Sequence, residues 1–240
     1  MISGLANPQR FMSVTAPVAR WLGPVTAVLF AIGIWLSFTA PQDYQQGETV
    51  RIMFVHVPAA WLGLFVYGCL GVSSLFSLVW RHALADAAAK AAAPLGAGFA
   101  LLALATGSLW GRPMWGAWWV WDARLTSMLI TFLFYLGYMA LRAAIDDEQK
   151  SARAGAILAL IGLINLPVVH FSVTWWNTLH QGASVFRLGG PTIALSLLAP
   201  LMIMALAYTL LFVLLWIVRI RTEITRRRAA ALAAKAAGVA

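Results

Sequence analysis

Charge is scarce in this sequence: Asp, Glu, Lys and Arg make up 10% of 240 residues, while hydrophobic residues make up 62%. So little charge cannot cover a water-soluble domain, which places the chain in a membrane. Cysteine is nearly absent. Cys69 stands alone, so there is no disulfide framework, no redox dithiol and no C-x-x-C-H motif. It falls mid-span and is expected to be a small packing residue. A G-x-x-x-x-G-K-S/T phosphate loop is also missing, so any ATP hydrolysis must come from a partner. Acidic side chains number 8 against 17 basic ones.

What is present is long apolar runs. A span needs about 20 mostly apolar residues, and six stretches qualify: 21–40, 57–80, 91–110, 125–144, 154–173 and 193–218. The expected fold is an all-α integral membrane protein. It is a six-transmembrane-helix bundle with short interfacial helices in the outer loops, forming a single polytopic membrane domain over residues 1–240. Residues 1–40 are read as a retained first span rather than a cleaved leader, because Phe38-Thr39-Ala40 is a poor cleavage site.

Lys and Arg placement sets the orientation. With the N-terminus in the cytoplasm, thirteen basic residues fall inside, and only Arg51, Arg112, Arg124 and Arg187 fall outside. Both termini are therefore expected in the cytoplasm, and the loops 41–56, 111–124 and 174–192 on the other side. The net charge of +9 is then a topology signal, not a nucleic-acid footprint. The run Arg226 to Arg228 reads as a solvated, lipid-facing patch.

The outer loops hold the chemistry. Five tryptophans crowd into Trp110–Trp121, within W-G-R-P-M-W-G-A-W-W-V-W-D-A-R-L. Interfacial tryptophans are normally scattered singly, so this density points to a platform for a flat, greasy ligand. If Pro113 opens a short helix, Trp115, Trp118, Trp119 and Asp122 fall on one face. Trp121 lies beside them. His56, in F-V-H-V-P-A-A-W, is expected at the mouth of a helix begun by Pro58. His180, in W-W-N-T-L-H-Q-G, is expected on a short helix that shares a face with Trp176 and is ended by Gly182.

Imidazole is a good haem-iron ligand, and two on one side would saturate the metal, which suits carriage of haem. Indole faces can pack on a porphyrin, and Arg51 and Arg124 could pair with its propionates. Each arginine could equally be an interfacial snorkelling residue. Asp122 could hold Arg124 or accept an indole N–H. His170, near Asn165 and Pro167, is expected to satisfy helix polar groups rather than bind metal. His82 reads as a loop residue.

The segments H-V-P-A-A-W (56–61), W-G-R-P-M-W-G-A-W-W-V-W-D-A-R-L-T-S (110–127) and N-L-P-V-V-H-F-S-V-T-W-W-N-T-L-H-Q-G (165–182) closely resemble the CcmC family of system I cytochrome c maturation. The likeness includes A-P-Q-D-Y-Q-Q-G-E-T-V-R-I (40–52) and runs over roughly 20 to 215. It implies a protein that is not an enzyme. Such a protein would hold haem b at the periplasmic face of the bacterial inner membrane, with His56 and His180 as axial ligands on the Trp-rich platform. Arg51 and Arg124 would lie near the propionates. The implied partners are the haem chaperone CcmE, the ABC-type complex CcmA/CcmB and the small protein CcmD, with no nucleic acid. Ala117 stands where the family motif has Thr. A secondary transporter is the competing class, but charged groups or broken helices at the midplane would be its mark. The spans carry almost no charge, and the interruptions at Pro94, Gly96, Gly98 and Pro167 do not lie where such a site would. A transmembrane electron carrier would need a second site, and only His170 lies within a span.

Overall fold

The structure, a computed structural model, describes residues 7–182 and 184–238. It is all-helical apart from one isolated backbone bridge between Asp43 and Gly47. The elements are α1 (Pro8–Thr39), a 3-10 turn (Glu48–Ile52), α2 (Met53–Trp80), α3 (Ala83–Trp115), α4 (Ala123–Ala144), α5 (Glu148–Leu163), α6 (Asn165–Trp175) and α7 (Leu195–Ala236). Six apolar helical stretches are long enough to cross a membrane, α5 and α6 together making the fifth.

Helix starts follow from capping chemistry. The side chains of Asn7, His82, Asp122 and Asp147 accept backbone N–H groups in the first turns of α1, α3, α4 and α5. His82 is thus a cap rather than a free loop residue. Pro58 does not begin the second span. The 3-10 turn runs straight into α2, which starts five residues earlier at Met53. A proline this close to a helix end forfeits only one backbone bond, so the helix passes through it. α3 likewise runs unbroken through Pro94. The fifth span breaks at Ile164, where Pro167 lacks the donor that would bond back to Leu163. Asn165 closes that break sideways, donating to Ser127 O (2.7 Å) and Thr131 Oγ1 (2.9 Å) on α4.

The core sits between α2 and α3. Ala89, Ala92, Ala93, Ala97, Ala100 and Ala103 are buried with Ala59, Leu62, Val66 and Leu70. Lipid tails are as apolar as the helices, so close approach of small residues supplies the packing. Cys69 packs at the edge of this core. Tyr135 is buried among these helices, donating its hydroxyl to Gly63 O at 2.9 Å. Its ring occupies the space that a Cβ on Gly96 would need. Gly96→Ala is therefore expected to destabilise the bundle by about 1–3 kcal/mol through overpacking. A lowered thermal midpoint in detergent checks this.

α7, at 42 residues, is about 63 Å long and extends well past a bilayer about 30 Å thick. Its far end does not simply float. Arg227 contacts Asp86 (2.5 Å) and Glu223 (2.8 Å), Arg226 contacts Glu223 (2.7 Å) and Glu148 (3.1 Å), and Arg142 pairs with Asp86. The solvated, lipid-facing reading of Arg226 to Arg228 therefore fails for Arg227, which is drawn inward against Asp86 and Glu223, while Arg226 pairs with Glu223 and Glu148 and stays half exposed.

Candidate haem-ligand site at the loop end of the bundle

His56 occupies the first turns of α2 and inserts against α3. Its Nδ1 lies 3.0 Å from Ala103 O and 3.1 Å from Thr106 Oγ1. Thr106 spends its own proton on Leu102 O at 2.6 Å, so toward the imidazole it accepts. Nδ1 must therefore carry the proton, and the Nε2 lone pair is free. Gly107 makes the approach possible, because a Cβ there would stand 3.0 Å from His56 Cε1. Trp110 closes the ring's edge at 5.6 Å between centroids and is itself held by Gln46 Oε1 at 3.0 Å.

His180 comes from the segment between α6 and α7. Its Nδ1 lies 3.5 Å from Asp122 Oδ2, and Trp115 sets its edge against the ring at 4.8 Å. A carboxylate accepts only, so here too Nδ1 carries the proton and Nε2 is free. Burial pushes the pKa of His180 below 6.5, the Arg124 charge adds to that, and Asp122 opposes it. The ring is therefore neutral and able to ligate at neutral pH. Both histidines lie at the same end of the bundle, His56 against Trp110 and His180 against Trp115 of α3. Along α3 the rise from Trp110, beside His56, to Trp115, beside His180, is about 7.5 Å.

The aromatic segment is not the helix expected from Pro113. α3 continues through Pro113 to Trp115 and ends on Gly116, whose φ of 75° favours glycine and whose N–H bonds to Arg112 O. Asp122 caps α4 by accepting from Leu125 N at 2.8 Å. Residues 117–121 must bridge two helix ends, so Trp115, Trp118, Trp119 and Asp122 cannot share one helical face. Trp119 instead packs edge-on against Trp121 at 5.4 Å, its Nε1 buried without a partner among the described residues, while Trp118 and Trp121 are exposed. Likewise Trp176 and His180 share no helix. α6 ends at Trp175, Trp176 is extended, and Thr178 Oγ1 captures His180 N at 3.1 Å. Gly182 has no left-handed conformation.

The arginines are anchored. Arg124 donates to Ser172 Oγ (3.2 Å) and to the carbonyls of Val169 and His170 (3.3 Å each), not to Asp122. Arg51 pairs with Glu48 at 2.6 Å and reaches Ala40 O at 3.4 Å, its Nε buried and without a partner among the described residues. His170 was expected to satisfy helix polar groups. Its ring makes no hydrogen bond among the described residues and packs edge-on against Phe171 at 4.7 Å. Thr106, Gly107 and Gln46 are site neighbours that the sequence reading misses; Thr106 lies four residues before Trp110 of the aromatic cluster, on the same helix face, and that spacing is the available signal. Among the described residues, no group of three or more His, Cys, Asp or Glu could hold a bare metal ion. Two imidazoles can occupy both axial positions of an iron already held in a macrocycle.

Comparison with known proteins agrees along nearly the whole chain. The sequence model of the family Heme exporter protein C matches residues 1–235. The Heme exporter protein C of Bradyrhizobium diazoefficiens is 61% identical over 228 residues, covering 95% of this chain and 87% of that protein. The one from Escherichia coli K12 is 48% identical over 181 residues, covering 75% and 74%. A cytochrome c biosynthesis ccmC-like mitochondrial protein of Marchantia polymorpha is 43% identical over 218 residues, covering 90% and 92%.

Proposed function

This chain belongs to the Heme exporter protein C (CcmC) family, and on that premise we propose that it binds haem b at the periplasmic face of the inner membrane and delivers it to the haem chaperone CcmE. It is a haem-handling carrier of cytochrome c maturation and not an enzyme. The observation that carries the proposal is the pair of oriented imidazoles. His56 and His180 each have Nδ1 committed to an acceptor, leaving Nε2 free at one end of the bundle. A second contact of this kind fixes the tautomer of a metal-ligating histidine.

The remaining residues fit the cargo. Trp115 at the end of α3 and Trp119 in the following loop lie close to Asp122 in sequence, with Trp118 and Trp121 exposed beside them. The unpaired Nε1 of Trp119 and Nε of Arg51 are donors that a propionate would satisfy. Arg124 keeps Nη1 uncommitted among the described residues and is the second propionate partner. In this reading the whole chain is one polytopic domain with both termini in the cytoplasm. The CcmA/CcmB complex and CcmD act beside it, supplying the ATP hydrolysis this sequence cannot perform.

Haem staining and a visible spectrum of the purified chain test the reading. A low-spin Soret band is expected, and a protein that takes up no haem overturns the proposal. A pH titration adds a second check. Neutral imidazole ligates, and His180 stays neutral below the ordinary value of 6.5. The low-spin spectrum is therefore expected to survive through pH 6.5 and to be lost only on further acidification. Arg124→Gln removes a charge that lowers the pKa of His180, so it is expected to move the acid midpoint upward.

A further inference from the structure

The two histidines are held in different ways. His56 belongs to a helix, and its Nδ1 is shared between two acceptors on the neighbouring helix. Its ring is wedged against Gly107 and edged by Trp110. To withdraw, its ring would have to break both hydrogen bonds and leave the space between Gly107 and Trp110. His180 belongs to an irregular segment. Among the described residues, no backbone hydrogen bond ties residues 177–182 to a helix. Its backbone is pinned only by Thr178, two residues away, and its ring only by a 3.5 Å contact to Asp122 and the edge of Trp115.

Resting on the haem-binding reading above, we propose that the ligands are unequal: His56 is the permanent anchor of the haem, and His180 is the ligand that lets go during delivery, with Asp122 as the residue that positions it. In the exchange, His180 Nε2 would give up the iron and keep its electron pair, and a nitrogen or oxygen lone pair on the acceptor protein would replace it, so the iron would keep its oxidation state. Asp122 suits a positioning role because one oxygen caps α4 while the other faces His180. The turn that carries the aromatic loop into α4 is thus joined to the ligand that moves.

Carbon monoxide binding to the reduced, haem-loaded full chain in detergent reads this directly. At saturating gas the rate is set by departure of the weaker imidazole. Asp122→Asn keeps an oxygen for the α4 cap but removes the charge facing His180. It is expected to raise that rate by about fivefold or more, with Asp122→Glu recovering part of the change. His180→Ala is expected to keep haem within roughly threefold of the unmodified chain, as a high-spin species. His56→Ala is expected to lose more than about tenfold, on the scale seen when metal-site contacts are removed. If Asp122→Asn leaves the rate unchanged, or if His180→Ala empties the site as fully as His56→Ala, the proposal is overturned. The first of these needs no His56 variant, so misfolding of that variant cannot hide the answer. An unmodified chain that binds haem alongside either result leaves the haem-binding reading standing and removes only the inequality.

Discussion

Haem content is expected to fall by well over about 100-fold when His56 and His180 are replaced together by alanine, more than loss of one second-layer contact would give. The physical reason is that this pair supplies the two imidazoles whose Nδ1 is held by an acceptor at this end of the bundle. Cys69 lies mid-helix in α2, and His170 sits on α6 with its ring against Phe171. Indole packing and arginine contacts would still attract a porphyrin, but without an axial bond the residual association is ordinary hydrophobic binding. Haem quantified on the purified double variant, with elution volume as the folding control, gives the result. Retention of a low-spin spectrum would mean that the iron is held elsewhere.

The parts of this architecture that were legible in the sequence are those governed by local rules. Apolar run length marked the six spans, because lipid demands continuous helix whatever the tertiary partners. The helices overshoot the apolar runs, since caps such as Asn7 and Asp147 lie in the polar flanks and not at the hydrophobic edge. The placement of His56 and His180 at one end of the bundle was legible, because side follows from parity of spans. The conformation of the aromatic loop was not. Helical periodicity over Trp115 to Asp122 is real, but Gly116 and the Asp122 cap override it by ending one helix and starting another within seven residues. Thr106 and Ala103 as partners of His56 were also out of reach, because a carbonyl acceptor 47 residues away leaves no mark in composition. The same holds for Arg227, whose partner Asp86 is 141 residues distant. A basic run beside a membrane span looks the same in sequence whether it faces lipid or a buried carboxylate.

That buried carboxylate gives the largest expected effect on stability. Asp86 accepts from Arg142 and Arg227, and the side chains of Asp86 and Arg142 are only 7% and 5% exposed. Removing one partner of a buried ion pair strands the other charge without compensation, which costs about 3–5 kcal/mol. Asp86→Ala strands the Arg142 guanidinium, whose Nε is already buried without a partner among the described residues, while Arg227 keeps its contact with Glu223. Arg227 is 22% exposed and can turn partly to water or to Glu223, so the lower end of the range is expected. The pair also joins α3 to α4 and α7, so its loss should loosen the long α7 from the bundle rather than disturb the histidines at the other end. Asp86→Ala is therefore expected to lower the thermal midpoint and the yield of folded protein sharply, while the folded fraction keeps its haem spectrum. In the double variant Asp86→Leu/Arg142→Met both charges of the tightest pair are gone, and an apolar pair can replace a buried ion pair with little loss. It should recover much of the deficit, leaving only Arg227 to find a new partner. A double variant no more stable than Asp86→Ala would mean that the cluster contributes by attraction and not merely by avoiding stranded charge.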